Sequence, residues 1–352
     1  MPRYTCCLLL LSCLSTVALA ADEKDGPVYT DPAMTDADYA LQGEYRGYQR
    51  SQSSDRSSRS VGLQVIAQGN GTFSATKYYG GLPGEGWYGG ERFLLQGERS
   101  GDLLRLSGDV YDIEILDGTG RILAKDGREA GFLQKIERVS PTMGARPPAG
   151  SVVLFDGSNT DHFKNAKMTA DGLLLAGTET SHAYADFRLH AEFRIPYKPL
   201  ARGQGRGNSG FYLQSRYEVQ VLDSFGLEGV ENECGSLYKL RRPDINMCLP
   251  PLQWQSYDID FSPAKFDAEG NKVRDMQISI WHNGVRIHNS LKLPSKTGAG
   301  KPEGPEPLPT KLQDHGNPVV YRNIWLIDRT QPDPVGNAWL KLPPSGPPIP
   351  IR

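Results

Sequence analysis

The feature that most constrains this chain is a period of two. Short runs in which every second residue is apolar recur along it, and they end at turn dipeptides, while no segment sustains a helical period. The run from Gly62 to Ala67 gives way to Asn70-Gly71. Tyr111, Ile113 and Ile115 alternate with Asp112 and Glu114 before Asp117-Gly118 turns the chain. Phe187, Leu189, Ala191, Phe193 and Ile195 alternate with Arg188, His190, Glu192 and Arg194. Tyr257, Ile259 and Phe261 alternate with Asp258 and Asp260; Ile278 and Ile280 lead into His282-Asn283-Gly284, after which Val285 and Ile287 return. Successive side chains of a strand point to opposite faces, so each run buries one face and wets the other. Many such runs with turns between them predict an all-β chain built as an antiparallel sandwich or jelly roll. The 39 glycines and 26 prolines agree, being too many turn formers for a helical bundle.

The segments divide as follows. Residues 1–20 carry Arg3, a short apolar run from Leu8 to Leu14 and an Ala18-Leu19-Ala20 cleavage pattern, which predicts a signal peptide and a secreted or periplasmic protein. Residues 21–60 are polar and end in the Ser/Arg-rich stretch 49–60, which reads as a mobile N-terminal segment. A small β-rich domain is expected over 61–139, a Pro/Gly linker over 140–150, the main domain over 151–330 and a Pro-rich tail over 331–352. Past the signal no apolar run is long enough to span a bilayer. Lys and Arg number 39 against 41 Asp and Glu, a net charge of −2, so nucleic acid is not an expected partner. Only Cys234 and Cys248 follow the signal. In an oxidising compartment this pair predicts a disulfide that closes one loop, worth about 3 kcal/mol.

Chemistry concentrates in two stretches. In the run from Gly207 to Asp223, Val219 and Val221 share one strand face, and Glu218 and Gln220 share the other. With the valines in a sandwich core, a carboxylate and an amide stand side by side on the opposite face. That pair suits sugar hydroxyls, each of which donates and accepts. The second stretch runs from Gln313 through Asp314 and His315 to Pro318. There His315 beside Asp314 has the makings of an oriented base. His190, His282 and His288 lie on or beside alternating strands and are expected to be solvated.

Val153-Leu154-Phe155-Asp156-Gly157, Asn208-Ser209-Gly210, Tyr217 through Asp223, Trp254 through Asp258, His282-Asn283-Gly284, Leu312 through Gly316 and Tyr321-Arg322-Asn323-Ile324 follow one another in this order. The ordered set resembles the 3-keto-disaccharide hydrolase family over about residues 150–328. Thr310-Lys311 departs from the Gly and apolar residue usual there. The resemblance implies a concanavalin-like jelly-roll β-sandwich with a concave sugar-binding sheet, preceded here by the small β-rich domain. It also implies an oligosaccharide or glycoside substrate already oxidised to a ketone at C3. A C3 ketone acidifies the C2 proton; a base removes it, the C1 oxygen leaves by elimination, and water can add to the resulting glucal. On this reading His315 and Glu218 are the candidate bases, with His315 first because it titrates near neutrality and Glu218 second because it would need burial to raise its pKa. Asn208, Gln220, Asp223, Gln313, Asp314 and Asn323 are the candidate substrate contacts. A divalent metal is a possible enediolate stabiliser, with no ligands assignable from spacing. The same fold also serves a lectin-like module that binds sugar without turnover, and fold alone does not choose.

Overall fold

A computed structural model describes residues 26–50 and 57–331. The expected signal peptide at 1–20, half of the Ser/Arg-rich stretch, at 51–56, and the Pro-rich tail from 332 onward lie outside the described residues.

Eight strands form a closed antiparallel barrel: β1 (Gly43–Arg50), β2 (Ser58–Gly69), β3 (Thr72–Tyr79), β4 (Arg92–Ser100), β5 (Leu103–Ser107), β6 (Tyr111–Leu116), β7 (Thr119–Ala124) and β8 (Glu129–Ile136). Strands adjacent in sequence are adjacent in space, and β1 closes on β8 from Glu44↔Ile136 to Gln49↔Gly131. Closure leaves no exposed sheet edge. Inward positions follow the alternation read from sequence: Val61, Leu63 and Val65 of β2, Leu104 and Leu106 of β5, and Ile113 and Ile115 of β6 are buried together. The barrel corrects one expectation. Residues 43–50 and 58–60, assigned above to a mobile segment, are strand. β1 carries two glycines and two arginines, a poor strand composition. It is extended because β2 and β8 flank it and because Tyr45 fills the barrel interior.

The second half is a two-sheet sandwich. Its strands are β9 (Val152–Phe155), β10 (Phe163–Lys164), β11 (Thr178–Thr180), β12 (Phe187–Arg194), β13 (Ser209–Leu213), β14 (Tyr217–Val221), β15 (Trp254–Ser262), β16 (Met276–His282), β17 (Val285–Leu293), β18 (Lys311–Leu312) and β19 (Val320–Asp328). A seven-stranded sheet runs β9-β19-β12-β15-β16-β17, with Leu174–Leu175 pairing on β19; a five-stranded sheet runs β10-β11-β18-β13-β14. Phe187, Leu189, Ala191 and Phe193 from one sheet meet Phe211, Leu213, Val219, Val221 and Leu312 from the other, all within one buried cluster. Fully burying each such aliphatic or aromatic side chain contributes about 1.5–3 kcal/mol.

The outer face of the large sheet is not wet as expected. His190 and Glu192 are fully buried, because residues 140–145, read above as linker, lie across them as a strap. Thr142 Oγ1 donates to Asp258 Oδ2 at 2.8 Å, the Gly144 N–H donates to Glu192 Oε1 at 2.5 Å, and Trp325 Nε1 donates to Ala145 O at 3.1 Å. Beneath the strap His190 Nδ1 meets Asp258 Oδ1 at 2.9 Å. His282 and His288 are buried too, with their Nε2 atoms on Gln255 Oε1 and Gly235 O. Burial depresses their pKa values to about 3 and about 4. A period of two marks a strand's polar face, but polar cover from elsewhere in the chain can still bury it.

Candidate active site

The site is built on β13 and β14, which pair with Gly210 opposite Gln220 and Tyr212 opposite Glu218. Val219 and Val221 point into the sandwich core with no exposure, so the period of two sends Glu218 and Gln220 to the other face, as the sequence predicts. β18 adds Lys311 opposite Tyr212, and the Gln313 N–H then donates to Gly210 O at 2.9 Å. Tyr212, Glu218, Gln220 and Gln313 therefore share one surface of the five-stranded sheet. Gly210 leaves room for the groups on either side of it. A Cβ at this position would sit 2.8 Å from Glu218 Oε1 and 3.3 Å from Gln313 Oε1, so the missing side chain is the space these two groups occupy.

This surface is enclosed, with Glu218 only 2 % exposed. Residues 235–238 run along the free edge of β14, where the Gly235 N–H donates to Gln220 O at 3.0 Å and Tyr238 N–H to Glu218 O at 3.2 Å. Thr297, from the long loop before β18, accepts from the Glu218 backbone N–H at 2.7 Å. Enclosure sets the electrostatics. Burial raises the Glu218 carboxyl pKa to about 7, against the opposing influence of a hydrogen bond with Tyr212 and the charge of Lys311. The same burial and the Glu218 carboxylate push the Tyr212 phenol far above its ordinary value.

One residue that sequence reading missed organises the amides. Gln204, in the short 3-10 turn Gly203–Gly205, accepts at Oε1 from both Asn208 Nδ2 and Gln220 Nε2, each at 3.0 Å. Its own Nε2 is anchored on Asn232 O at 2.9 Å. With their N–H groups committed, the amides leave oxygens free: Asn208 Oδ1, Gln220 Oε1, Gln313 Oε1 and Glu218 Oε2 are buried and make no hydrogen bond among the described residues. A buried acceptor without a partner carries a desolvation cost, and four on adjacent residues mark a place where donors are to arrive. No sequence pattern announces Gln204, which lies in an irregular stretch.

The other predicted positions fall elsewhere. Asp314 and His315 lie in an exposed turn beyond Gln313; Asp314 Oδ1 accepts from the Gly316 N–H, and no hydrogen bond reaches the His315 ring among the described residues. Asp223 is buried but committed: Oδ2 takes Arg206 Nε at 2.7 Å and Oδ1 takes the Phe225 N–H at 3.3 Å. Asn323 belongs to the opposite sheet, where its Nδ2 donates to Glu192 Oε1 and Ala145 O under the strap. Cys234 and Cys248 are buried free thiols instead of the expected disulfide. Cys248 Sγ lies 3.5 Å from both Leu222 O and Leu249 O, and Cys234 Sγ lies 3.3 Å from the Tyr257 hydroxyl. Among the described residues no three His, Cys, Asp or Glu side chains converge as metal ligands. No helix among them is long and apolar enough to cross a membrane.

The sandwich that encloses this carboxylate among free amide oxygens is the part of the chain with a family match, which marks it as a carbohydrate-active protein of the glycosyl hydrolase kind. Residues 150–327 match the family described as the 3-keto-alpha-glucoside-1,2-lyase-like domain, and the chain belongs to that family. Among solved structures it is similar to a protein of Parabacteroides distasonis ATCC 8503 provisionally described as a glycosyl hydrolase, at 29% identity and a TM-score of 0.47, over 51% of this chain and 84% of that one. A second protein of that organism, described in the same way, is similar at 20% identity and a TM-score of 0.39, over 51% of this chain and 94% of the other. No curated protein matches the chain.

Proposed function

We propose that this protein is an exported enzyme that cleaves 3-keto-glycosides by elimination, with Glu218 as the base. The observation that carries the reading is a buried carboxyl whose pKa of about 7 suits proton transfer at neutral pH, set among free amide oxygens. His315, the stronger candidate from sequence, is exposed and unoriented, whereas burial supplies Glu218 with the basicity it would otherwise lack.

In the proposed reaction, Glu218 Oε2 takes the C2 proton of the keto sugar, and the C–H electron pair moves into the enediolate. As Glu218 becomes neutral, Tyr212 no longer faces a carboxylate, so its O–H is free to donate to the developing oxyanion. The enediolate collapses as the C1–O bond breaks, and the departing oxygen takes the proton held by Glu218, which returns the carboxylate. Water adding across the C1–C2 double bond of the glucal gives the free keto sugar. Asn208, Gln220 and Gln313 accept from sugar hydroxyls through their unpartnered oxygens. An ordinary glycosidase needs two acids across the scissile bond. Among the described residues Asp223 is paired with Arg206 and Asp314 is exposed, which leaves Glu218 as the one buried acid of this surface and favours elimination.

The test is turnover of a 3-keto-glucoside and of its unoxidised parent. The intact protein is expected to cleave the keto sugar alone, with a rate that rises with pH through about 7. Glu218→Gln should lose about a hundredfold or more in kcat while it still binds. Binding without turnover by the intact protein would establish the lectin-like alternative.

A further inference from the structure

The barrel holds a buried amine with no acid to pair with it. Lys77 lies on β3 at an inward position, in phase with Phe73 and Ala75 of the barrel core, and is only 2 % exposed. Its Nζ donates to Gln49 Oε1 at 2.7 Å and meets the Tyr79 hydroxyl at 3.4 Å. The rings of Tyr111, Tyr79 and Phe93 surround it at 4.5, 4.6 and 5.3 Å. Arg59 brings a second cation to 4.3 Å from the Tyr79 ring. Among the described residues no carboxylate forms an ion pair with Lys77. Burial and the charge of Arg59 lower its pKa to about 8, which leaves it mainly protonated at neutral pH. A buried cation without a carboxylate partner is expensive even with a hydrogen bond and aromatic faces around it, and packing alone would be served better by an apolar residue.

The barrel interior stops short of filling this end. A cavity of about 380 Å³ opens at Lys77 between Phe93, Leu95 and Tyr111, with Arg92 beside it and the exposed Glu91 and Asp109 at its rim. That volume holds a molecule of one ring. An eight-stranded barrel is also just wide enough to take one small ligand. The floor is cationic, the walls are aromatic and the rim is acidic, an arrangement that selects a single anionic group carried by a compact ring and disfavours a polyanion.

We propose that this mouth of the barrel is a second binding site, separate from the sandwich, that takes a small ring-bearing carboxylate, with the carboxylate on Lys77 and the ring against Phe93 and Tyr111. A uronate sugar and an aromatic acid share that chemistry. Titration calorimetry of the full chain with glucuronate, benzoate and neutral glucose separates them. At least one of the two carboxylates is expected to bind, the tighter one identifying the source, and glucose to bind at least tenfold more weakly. Lys77→Met should weaken the carboxylate at least tenfold with an unchanged or higher Tm, because it removes a buried charge at nearly constant volume. The proposal is overturned if neither carboxylate binds the intact protein, or if the Lys77→Met protein binds as the intact protein does.

Discussion

At the residue scale, Glu218 shows how burial moves an ordinary carboxyl group toward neutrality. Its folded pKa of about 7 lies above the ordinary carboxylate range, so the fold favours the protonated form. The stability this group contributes is therefore complete below its unfolded pKa and is lost as pH rises through about 7. Glu218→Gln removes that ionisation. Relative to the unsubstituted protein, the variant should gain stability between pH 5 and pH 8, on the order of 2–3 kcal/mol. Denaturant midpoints measured across that range check this, and parallel curves for the two proteins would contradict it. The cysteines make a similar point with a different outcome. Burial raises the Cys248 thiol well above its ordinary pKa. Neither cysteine should react with a thiol reagent while the protein is folded, and denaturation without reductant should release two thiols from a chain that begins at Ala21. A count of zero would restore the bond that the sequence suggested.

At the scale of elements, the pairing of β13 with β14 fixes the site. A slip of one residue would exchange Glu218 and Gln220 with the core valines. Alternation made these two faces legible in the sequence, and the expected split between Glu218 with Gln220 and Val219 with Val221 is the one the structure has. What alternation could not show is the cover: Gln204, Tyr238 and Thr297 reach the pair from three separate loops. The space left at Gly210 belongs to the strand pair as a unit. Gly210→Ala should push the Glu218 carboxylate from its place, since the new Cβ would lie 2.8 Å from Oε1. Turnover is expected to fall about tenfold to a hundredfold, because a displacement of an ångström costs that much in a positioned group. Thermal unfolding measured beside the kinetics should show a much smaller effect, and equal rates for the two proteins would remove Gly210 from the site.

At the scale of the whole molecule, barrel and sandwich share their packing. Ile66 of β2 is buried in the sandwich cluster, while Tyr197 and Leu252 of the second half are buried in the barrel cluster. Arg206 ties the two together, with Nε on Asp223 Oδ2 and Nη2 on Ala67 O at 3.2 Å. Asp223→Ala would strand that guanidinium in the interior at a cost of about 3–5 kcal/mol. Because Arg206 touches both halves, chemical denaturation of the variant should show one transition moved to lower denaturant. A variant as stable as the parent would show that the pair is dispensable. This joint also explains where sequence reading ended. Strand faces and hairpin positions are local properties, set by side-chain alternation and by the conformations that Asn-Gly and Asp-Gly accept, so the sequence by itself determined the all-β class and that Gln220 shares a strand face with Glu218. The place of β1 in the barrel, the burial of His190 under its strap, the reduced state of the two cysteines and the basicity of Glu218 were decided only by the tertiary structure. Each depends on how much water is excluded around a group, and that is set by segments distant in the chain that close over it.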